Sequence, residues 1–431
     1  VINNPQVKPP PNSPATKKLP ISLKPAHNAN HHRQKNEAPK VDFDLIIDRT
    51  HSHSEKYAGR QRMFGRADVV PMWVADMDFA CPASITQALM ERAQHPIYGY
   101  TQYPEEMKTV LMAWLARRHN CTIQPDWISF APGVVPSLHA AALGLLNPQQ
   151  AYIIQPPVYP PFFYVAQNTA RPILHNPLKY QQGSYSIDFA DLEHKAAQAK
   201  LLMLCSPHNP VGRVWQQDEL RELLTIAKRH NLYVFSDEIH QDLIMPGARH
   251  QMLLNFINDA ELGDFVANNT ITAVAPSKTF NIPGMGLSAL ITPNPALRKK
   301  LTQAFDQLHA GNFNPFSITA FIAAYRDNDA WLDALMNYLA SNQNLVSQFL
   351  QNKPLHFNPV EATYLLWLNC QKLKLTDSAL RDFFIHKAGL GLNPGVSFGA
   401  EGSGFMRLNI ALPKAQLEQA LEQLGQALAQ F

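Results

Sequence analysis

From about residue 81, short apolar runs alternate with longer amphipathic ones. The short runs are Tyr152 to Gln155, Leu201 to Ser206, Tyr233 to Asp237, Thr270 to Ser277 and Leu287 to Thr292. Their β-branched and aromatic content, bounded by turn formers, predicts strands. Between them lie stretches such as Asp218 to His230, where Leu220, Leu223, Leu224 and Ala227 repeat at helical spacing. A further strand-like run, Trp127 to Phe130, leads through Gly133-Val-Val135 into a helix predicted to begin near Pro136. This alternation predicts an α/β domain built on a mostly parallel sheet, over residues 81–325. Beyond it the pattern changes to long helices with one clear strand, Thr363 to Leu368, and a final helix, Lys414 to Phe431. A smaller α+β domain is therefore expected over 326–431, with the segment 41–80 packing beside it.

Residues 1–40 break the pattern. They hold Pro9, Pro10 and Pro11 in a row, few large apolar groups, and seven Lys or Arg against one acid, Glu37. Burial there is too small to offset the entropy of ordering, which predicts a disordered basic tail. Net charge over all 431 residues is only +3, so the remainder is slightly acidic and carries no footprint for nucleic acid. The chain is 46% hydrophobic, enough for a large core. Its four cysteines, Cys81, Cys121, Cys205 and Cys370, are widely spaced, which suits a reducing compartment. No apolar stretch reaches membrane-spanning length and the N-terminus has no apolar signal core, so a soluble, cytoplasmic protein is expected. The chain begins at Val1, which leaves processing, trimming and an internal start equally open.

Polar motifs follow several predicted strands directly. In open α/β sheets ligands sit at the carboxyl ends of strands, so these motifs mark where function is to be sought. They are Ser206-Pro-His-Asn-Pro-Val-Gly212, Asp237-Glu-Ile-His240 and Ala275-Pro-Ser-Lys-Thr-Phe-Asn-Ile-Pro-Gly284. A fourth, Gly404-Phe-Met-Arg-Leu-Asn-Ile410, puts Arg407 at the start of a strand-like run. Each alone is ordinary, since a Lys or Arg after a strand is usually solvated and an Asp there often caps a helix. Their order and their separations of 28, 41 and 129 residues from Asn209 through Asp237 and Lys278 to Arg407 are not ordinary.

With this spacing the chain resembles the fold-type I pyridoxal-phosphate enzymes from residue 43 to its end. Within them it is most similar to the MalY/PatB group of carbon-sulfur β-lyases, often called cystathionine β-lyases. Further residues carrying the likeness are Pro71-Met-Trp-Val-Ala-Asp-Met-Asp-Phe79, Ile97-Tyr-Gly-Tyr-Thr101 and Gln155-Pro-Pro-Val-Tyr159. The resemblance implies a seven-stranded sheet and a homodimer with shared active sites. It makes Lys278 the Schiff-base lysine and catalytic base, Asp237 the partner of the pyridinium nitrogen, and Asn209 a donor to the cofactor's phenolic oxygen. His240 stands where many aminotransferases have a tyrosine, Tyr159 is to stack on the ring, and Tyr100 is to reach the phosphate from the second subunit. Gly133, Val134 and Val135, at a helix start, suit phosphate, and Ser277 adds a hydroxyl. Arg407 is to grip the substrate carboxylate with two parallel hydrogen bonds, helped by Asn209 and a backbone amide near Val74 or Ala75.

Two departures from the wider superfamily stand out: Gly286 where many relatives have a phosphate-binding Arg, and Ala275 where they often have Ser. The implied reaction is α,β-elimination of L-cystathionine or another cysteine S-conjugate, in methionine biosynthesis; an aminotransferase is the alternative, because the same residues serve both. A regulatory binding role is a third reading that no feature favours. Gly284-Met-Gly-Leu-Ser-Ala289 imitates a dinucleotide fingerprint but precedes a strand, not a helix, and is rejected. The histidines lack metal-ligand spacing, so no metal is expected. Asp76 and Asp78 are read as braces for the loop over the active site.

Overall fold

A computed structural model describes residues 41–307, 309–311 and 313–430. The expected disordered tail, 1–40, lies outside the described residues. Seven strands form the main sheet: β1 Ile128–Ala131, β2 Ala151–Ile154, β3 Ile173–His175, β4 Ala199–Cys205, β5 Tyr233–Asp237, β6 Thr270–Val274 and β7 Ser288–Ile291. Their spatial order is β1-β7-β6-β5-β4-β2-β3. All neighbours are parallel except β7, which runs antiparallel to β6 and β1. β2 and β6 are buried throughout, and β4 and β5 everywhere but at their first residues, as a sheet covered on both faces requires. In register, Cys205 pairs with Asp237 and Asp237 with Ala273, so three motif-bearing strands end at one level.

Local chemistry sets the boundaries. β6 stops at Val274, three residues before the predicted end, because Pro276 has no N–H to give a ladder and instead opens the helical turn Pro276–Thr279. Lys278 therefore rides on a helical turn, not on a strand. Helix α1, Val134–Leu145, starts two residues before Pro136, whose missing N–H costs nothing in a first turn. Helix α2, Gln217–Arg229, buries Leu220, Leu223, Leu224 and Ala227 as their spacing predicts. Its start is capped reciprocally, with Glu219 accepting from the Gln216 amide at 2.9 Å.

Beyond the long helix α3, Asp329–Leu350, a second sheet forms from β8 Leu365–Asn369, β9 Asn393–Pro394 and β10 Phe405–Asn409, all antiparallel, in the order β8-β10-β9. The sequence showed one clear strand here. The shortness of β9 hid it, and Arg407 proves to sit in the middle of β10 rather than at its start, opposite both Trp367 and Asn393. Helix α4, Lys414–Ala429, closes the chain's described part. The strap 71–79 is tied to this layer: Val70–Pro71 pairs in parallel with Leu390–Gly391, and Asn409 Nδ2 donates to the Val74 and Asp76 carbonyls, both at 2.7 Å. Among the described residues no helix is long and apolar enough to cross a membrane.

Candidate active site

One cavity opens at the carboxyl ends of β1, β4, β5 and β6. Its lining includes Ala75, Gly133, Val134, Val135, Tyr159, Asn209, Asp237, His240, Ser277 and Lys278, residues singled out in the sequence from six separate segments. Cys205, Ile239, Ala275, Gly286 and Leu287 complete much of the wall. Arg407 stands behind Asn209, donating from Nη1 to Asn209 Oδ1 at 3.1 Å. Tyr100 is not brought there: it is fully exposed, with Ile97 and Tyr98 exposed beside it.

Burial tunes every ionisable group in the cavity. Lys278 Nζ donates to the Ala75 carbonyl at 2.8 Å. Removal from water lowers its pKa to about 8, with Arg407 pushing the same way and Asp76 and Asp237 opposing. The Asp237 carboxylate accepts a single hydrogen bond among the described residues, from the Ile239 amide at 3.2 Å. Its carboxyl is pushed up to about 7, chiefly by burial. His240 falls to about 3, through burial and then the nearby Lys278 and Arg407 charges, and is a neutral ring whose Nδ1 has no partner. Tyr159 is raised by burial and keeps its proton.

Arg407 is only 4% exposed. Its Nη2 donates to the Trp73 carbonyl and to Asn393 Oδ1, each at 2.8 Å, and its guanidinium lies 4.9 Å from the Phe398 ring centre. Nε is buried without a partner, and among the described residues no carboxylate faces this cation. A buried guanidinium lacking an anion is costly unless a ligand supplies one. Because Arg has donors only, Asn209 must turn its oxygen toward Arg407, which leaves its NH₂ for the cavity.

The opposite end is suited to an anion. Gly133 precedes α1, and the first intrahelical bond is donated by Ser137, so the amides of Val134 and Val135 are free donors at the positive end of the helix. A Cβ on Gly133 would meet nothing closer than Pro136 Cδ at 3.5 Å, so the missing side chain leaves open room. Gly286 likewise lines the wall without a side chain, at φ +51°. A flat, anionic ring compound with one basic nitrogen and an aldehyde fits these residues: cationic ring edge to Asp237, anion to α1, carbonyl to Lys278.

Three site features escaped the sequence. Tyr364, at 0% exposure, donates its hydroxyl to the same Ala75 carbonyl that Lys278 uses, at 2.9 Å. Asn393 and the Trp73 carbonyl orient Arg407. No local signal marks Tyr364 or Asn393; Trp73 lay within the quoted 71–79 motif. The bracing role read for Asp76 and Asp78 has a concrete form: Arg49 bonds both, at 2.7 and 2.6 Å, and the buried Lys56 Nζ lies 2.8 Å from Asp78.

A mostly parallel seven-stranded sheet with a lysine, an aspartate and an asparagine at neighbouring strand ends defines a fold-type I pyridoxal-phosphate enzyme. The model for aminotransferase class I and II matches residues 67–424, and the chain belongs to that family. It is 38% identical over 393 residues to cystathionine beta-lyase PatB of Bacillus subtilis, spanning 90% of this chain and all of that one. Protein MalY of Escherichia coli is 30% identical over 395 residues, 90% of this chain and 98% of its own. Cystalysin from Treponema denticola, whose crystal structure contains pyridoxal 5'-phosphate, superposes with a TM-score of 0.86 at 37% identity, covering 90% and 99%.

Proposed function

We propose that this chain carries pyridoxal 5'-phosphate on Lys278 and eliminates the β-substituent of L-cystathionine or a related cysteine S-conjugate, giving a thiol, pyruvate and ammonia. The observation that carries the reading is the meeting of Lys278 and Asp237 in one cavity with the anion-less Arg407 just behind its wall residue Asn209, Asp237 and Arg407 lying 170 residues apart in sequence. Whole-length likeness to PatB favours elimination over transamination.

When bound, pyridoxal phosphate supplies an electron sink for bond breaking at the substrate's Cα. The residues do the rest. Lys278 would hold the cofactor, and its free amine would take the substrate's Cα proton; a pKa near 8 keeps a useful neutral fraction near pH 7. Asp237 is ionised when a ring N–H⁺ faces it and holds that proton in place. Asn209 donates its NH₂ to the phenolic oxygen while its oxygen is fixed by Arg407. The free amides of Val134 and Val135, with Ser277, bind phosphate, and Tyr159 stacks on the ring. His240, neutral and buried, packs beside the ring without adding charge.

Arg407 offers its remaining N–H donors to the α-carboxylate, and the Ala75 amide, which donates to nothing among the described residues, completes that grip. The C–S bond would then break with its electron pair leaving on sulfur, which gains a proton to depart as the thiol, while the remaining three-carbon fragment takes up water to give pyruvate and ammonia. The exposed Ile97, Tyr98 and Tyr100 support a homodimer in which Tyr100 reaches the partner's phosphate site. We place the large cofactor-holding domain at 81–325, the smaller one at 326–431, and the enzyme in the cytoplasm, in methionine biosynthesis. The test is cystathionine supplied without any keto acid: steady pyruvate and thiol release from wild type, abolished in Lys278→Ala, supports elimination, whereas turnover only with added keto acid would establish transfer instead.

A further inference from the structure

The Ala75 carbonyl accepts two hydrogen bonds, from Lys278 Nζ at 2.8 Å and from the Tyr364 hydroxyl at 2.9 Å. Tyr364 does not line the cavity, and Ala75 is the only hydrogen-bond partner of its hydroxyl among the described residues. It precedes β8, deep beneath the site, with its ring 6.3 Å from the His240 ring, edge to face. Nothing in packing requires a hydroxyl there; phenylalanine would fill the same space. Burial raises its pKa, so the group remains a donor across the working range.

We infer that Tyr364 is a positioning residue for Lys278, acting through the Ala75 carbonyl that the two side chains share. This deepens the lyase reading and rests on it. A carbonyl oxygen has two lone pairs. Tyr364, held rigidly by the core, occupies one and thereby aims the other at the lysine. It also takes part of the oxygen's accepting power, so that the amine is held in place yet released when it must take a proton. The peptide concerned lies in the strap 71–79, whose neighbouring carbonyls are already tied: Trp73 to Arg407, Val74 and Asp76 to Asn409. Tyr364 supplies the missing tie at position 75. Without it, the oxygen turns wholly to the lysine, favours its charged form, and holds the base back from the cavity.

The experiment compares wild type with Tyr364→Phe. In the holoenzyme, kcat for thiol release should fall about tenfold, the scale one hydrogen bond supports, while KM stays within about twofold because Arg407 and Asn209 are untouched and the Ala75 amide belongs to the peptide before the one Tyr364 holds. In the full chain stripped of cofactor, the rate of regaining the visible band on adding pyridoxal phosphate depends on neutral Lys278. Its pH midpoint should lie higher in Tyr364→Phe than in wild type, by about half a unit or more. Unchanged kcat with an unmoved midpoint overturns the inference, as does an equal loss in kcat and rise in KM with no midpoint shift, the mark of a merely structural residue. Should Tyr364→Phe fold poorly, 3-fluorotyrosine at position 364 keeps the packing and strengthens the donor, and must move the midpoint downward; an upward or absent shift refutes the idea. A wild-type chain that takes up no cofactor, or releases thiol only with a keto acid, instead sinks the lyase reading itself.

Discussion

Lys56 is 1% exposed, an unusual place for an ammonium. Its Nζ lies 2.8 Å from Asp78 Oδ2 and 3.7 Å from Asp76 Oδ1, while Arg49 holds the other oxygens of both acids. Two cations therefore face two carboxylates under the strap that carries Ala75. Lys56→Met preserves the stem's packing but leaves two carboxylates sharing one arginine. Breaking a buried pair from one side costs about 3 to 5 kcal/mol; retention of Arg49 puts this case near the lower end, about 3 kcal/mol. The strap should shift as well, and a misplacement of about 1 Å at a reacting group costs up to about a hundredfold, so kcat/KM should fall at least about tenfold. Lys56→Met combined with Asp78→Asn restores one cation to one carboxylate, and the amide oxygen that the second substitution leaves in place can still accept from Arg49. Thermal unfolding of the wild type, both single variants and the double variant forms a closed cycle. The double variant should melt above Lys56→Met and recover part of its kcat/KM. If it melts no higher than the sum of the single losses predicts, or if Lys56→Met alone costs under about 1 kcal/mol, the pairing does not hold the strap and the reasoning fails.

Two further outcomes follow from the cavity. Arg407→Lys loses the planar fork that bonds the α-carboxylate and also frees Asn209, so KM for cystathionine should rise about 10- to 100-fold, more than kcat falls; steady-state kinetics showing an unchanged KM would remove Arg407 from the carboxylate site. Asp237 binds its proton more tightly folded, at about 7, than unfolded, where a carboxyl titrates near 3.8. An acid raised in this way stabilises the cofactor-free chain below about pH 4 relative to higher pH, and that margin is lost as pH rises toward 7, by about 4 kcal/mol at most. Asp237→Asn should flatten this slope in pH-dependent melting of the stripped chain, and cofactor should flatten it in the wild type by giving the carboxylate a cation; equal slopes in all three would refute the assignment.

Much of the site could be read along the chain because its chemistry is local. A strand followed at once by Asn209, Asp237 or Lys278 places that residue at a strand end whatever the rest of the protein does, and parallel pairing then brings such ends together. The alternation of runs likewise announced the α/β layer, and the leucine spacing of α2 its buried face. Pro276, visible in the sequence, is what cut β6 short and put Lys278 on a helical turn. What one-dimensional order hid are contacts made between distant segments with no periodic signature. Tyr364 meets the Ala75 carbonyl across 289 residues. Asn393 reaches Arg407 only because a two-residue strand pairs with β10. Lys56 reads as one more surface lysine until the strap folds over it. Strand ends and helix faces follow from hydrogen bonding and hydrophobic period within a few residues, whereas a partner for a buried donor is chosen by whatever the packed chain leaves within about 3 Å of it.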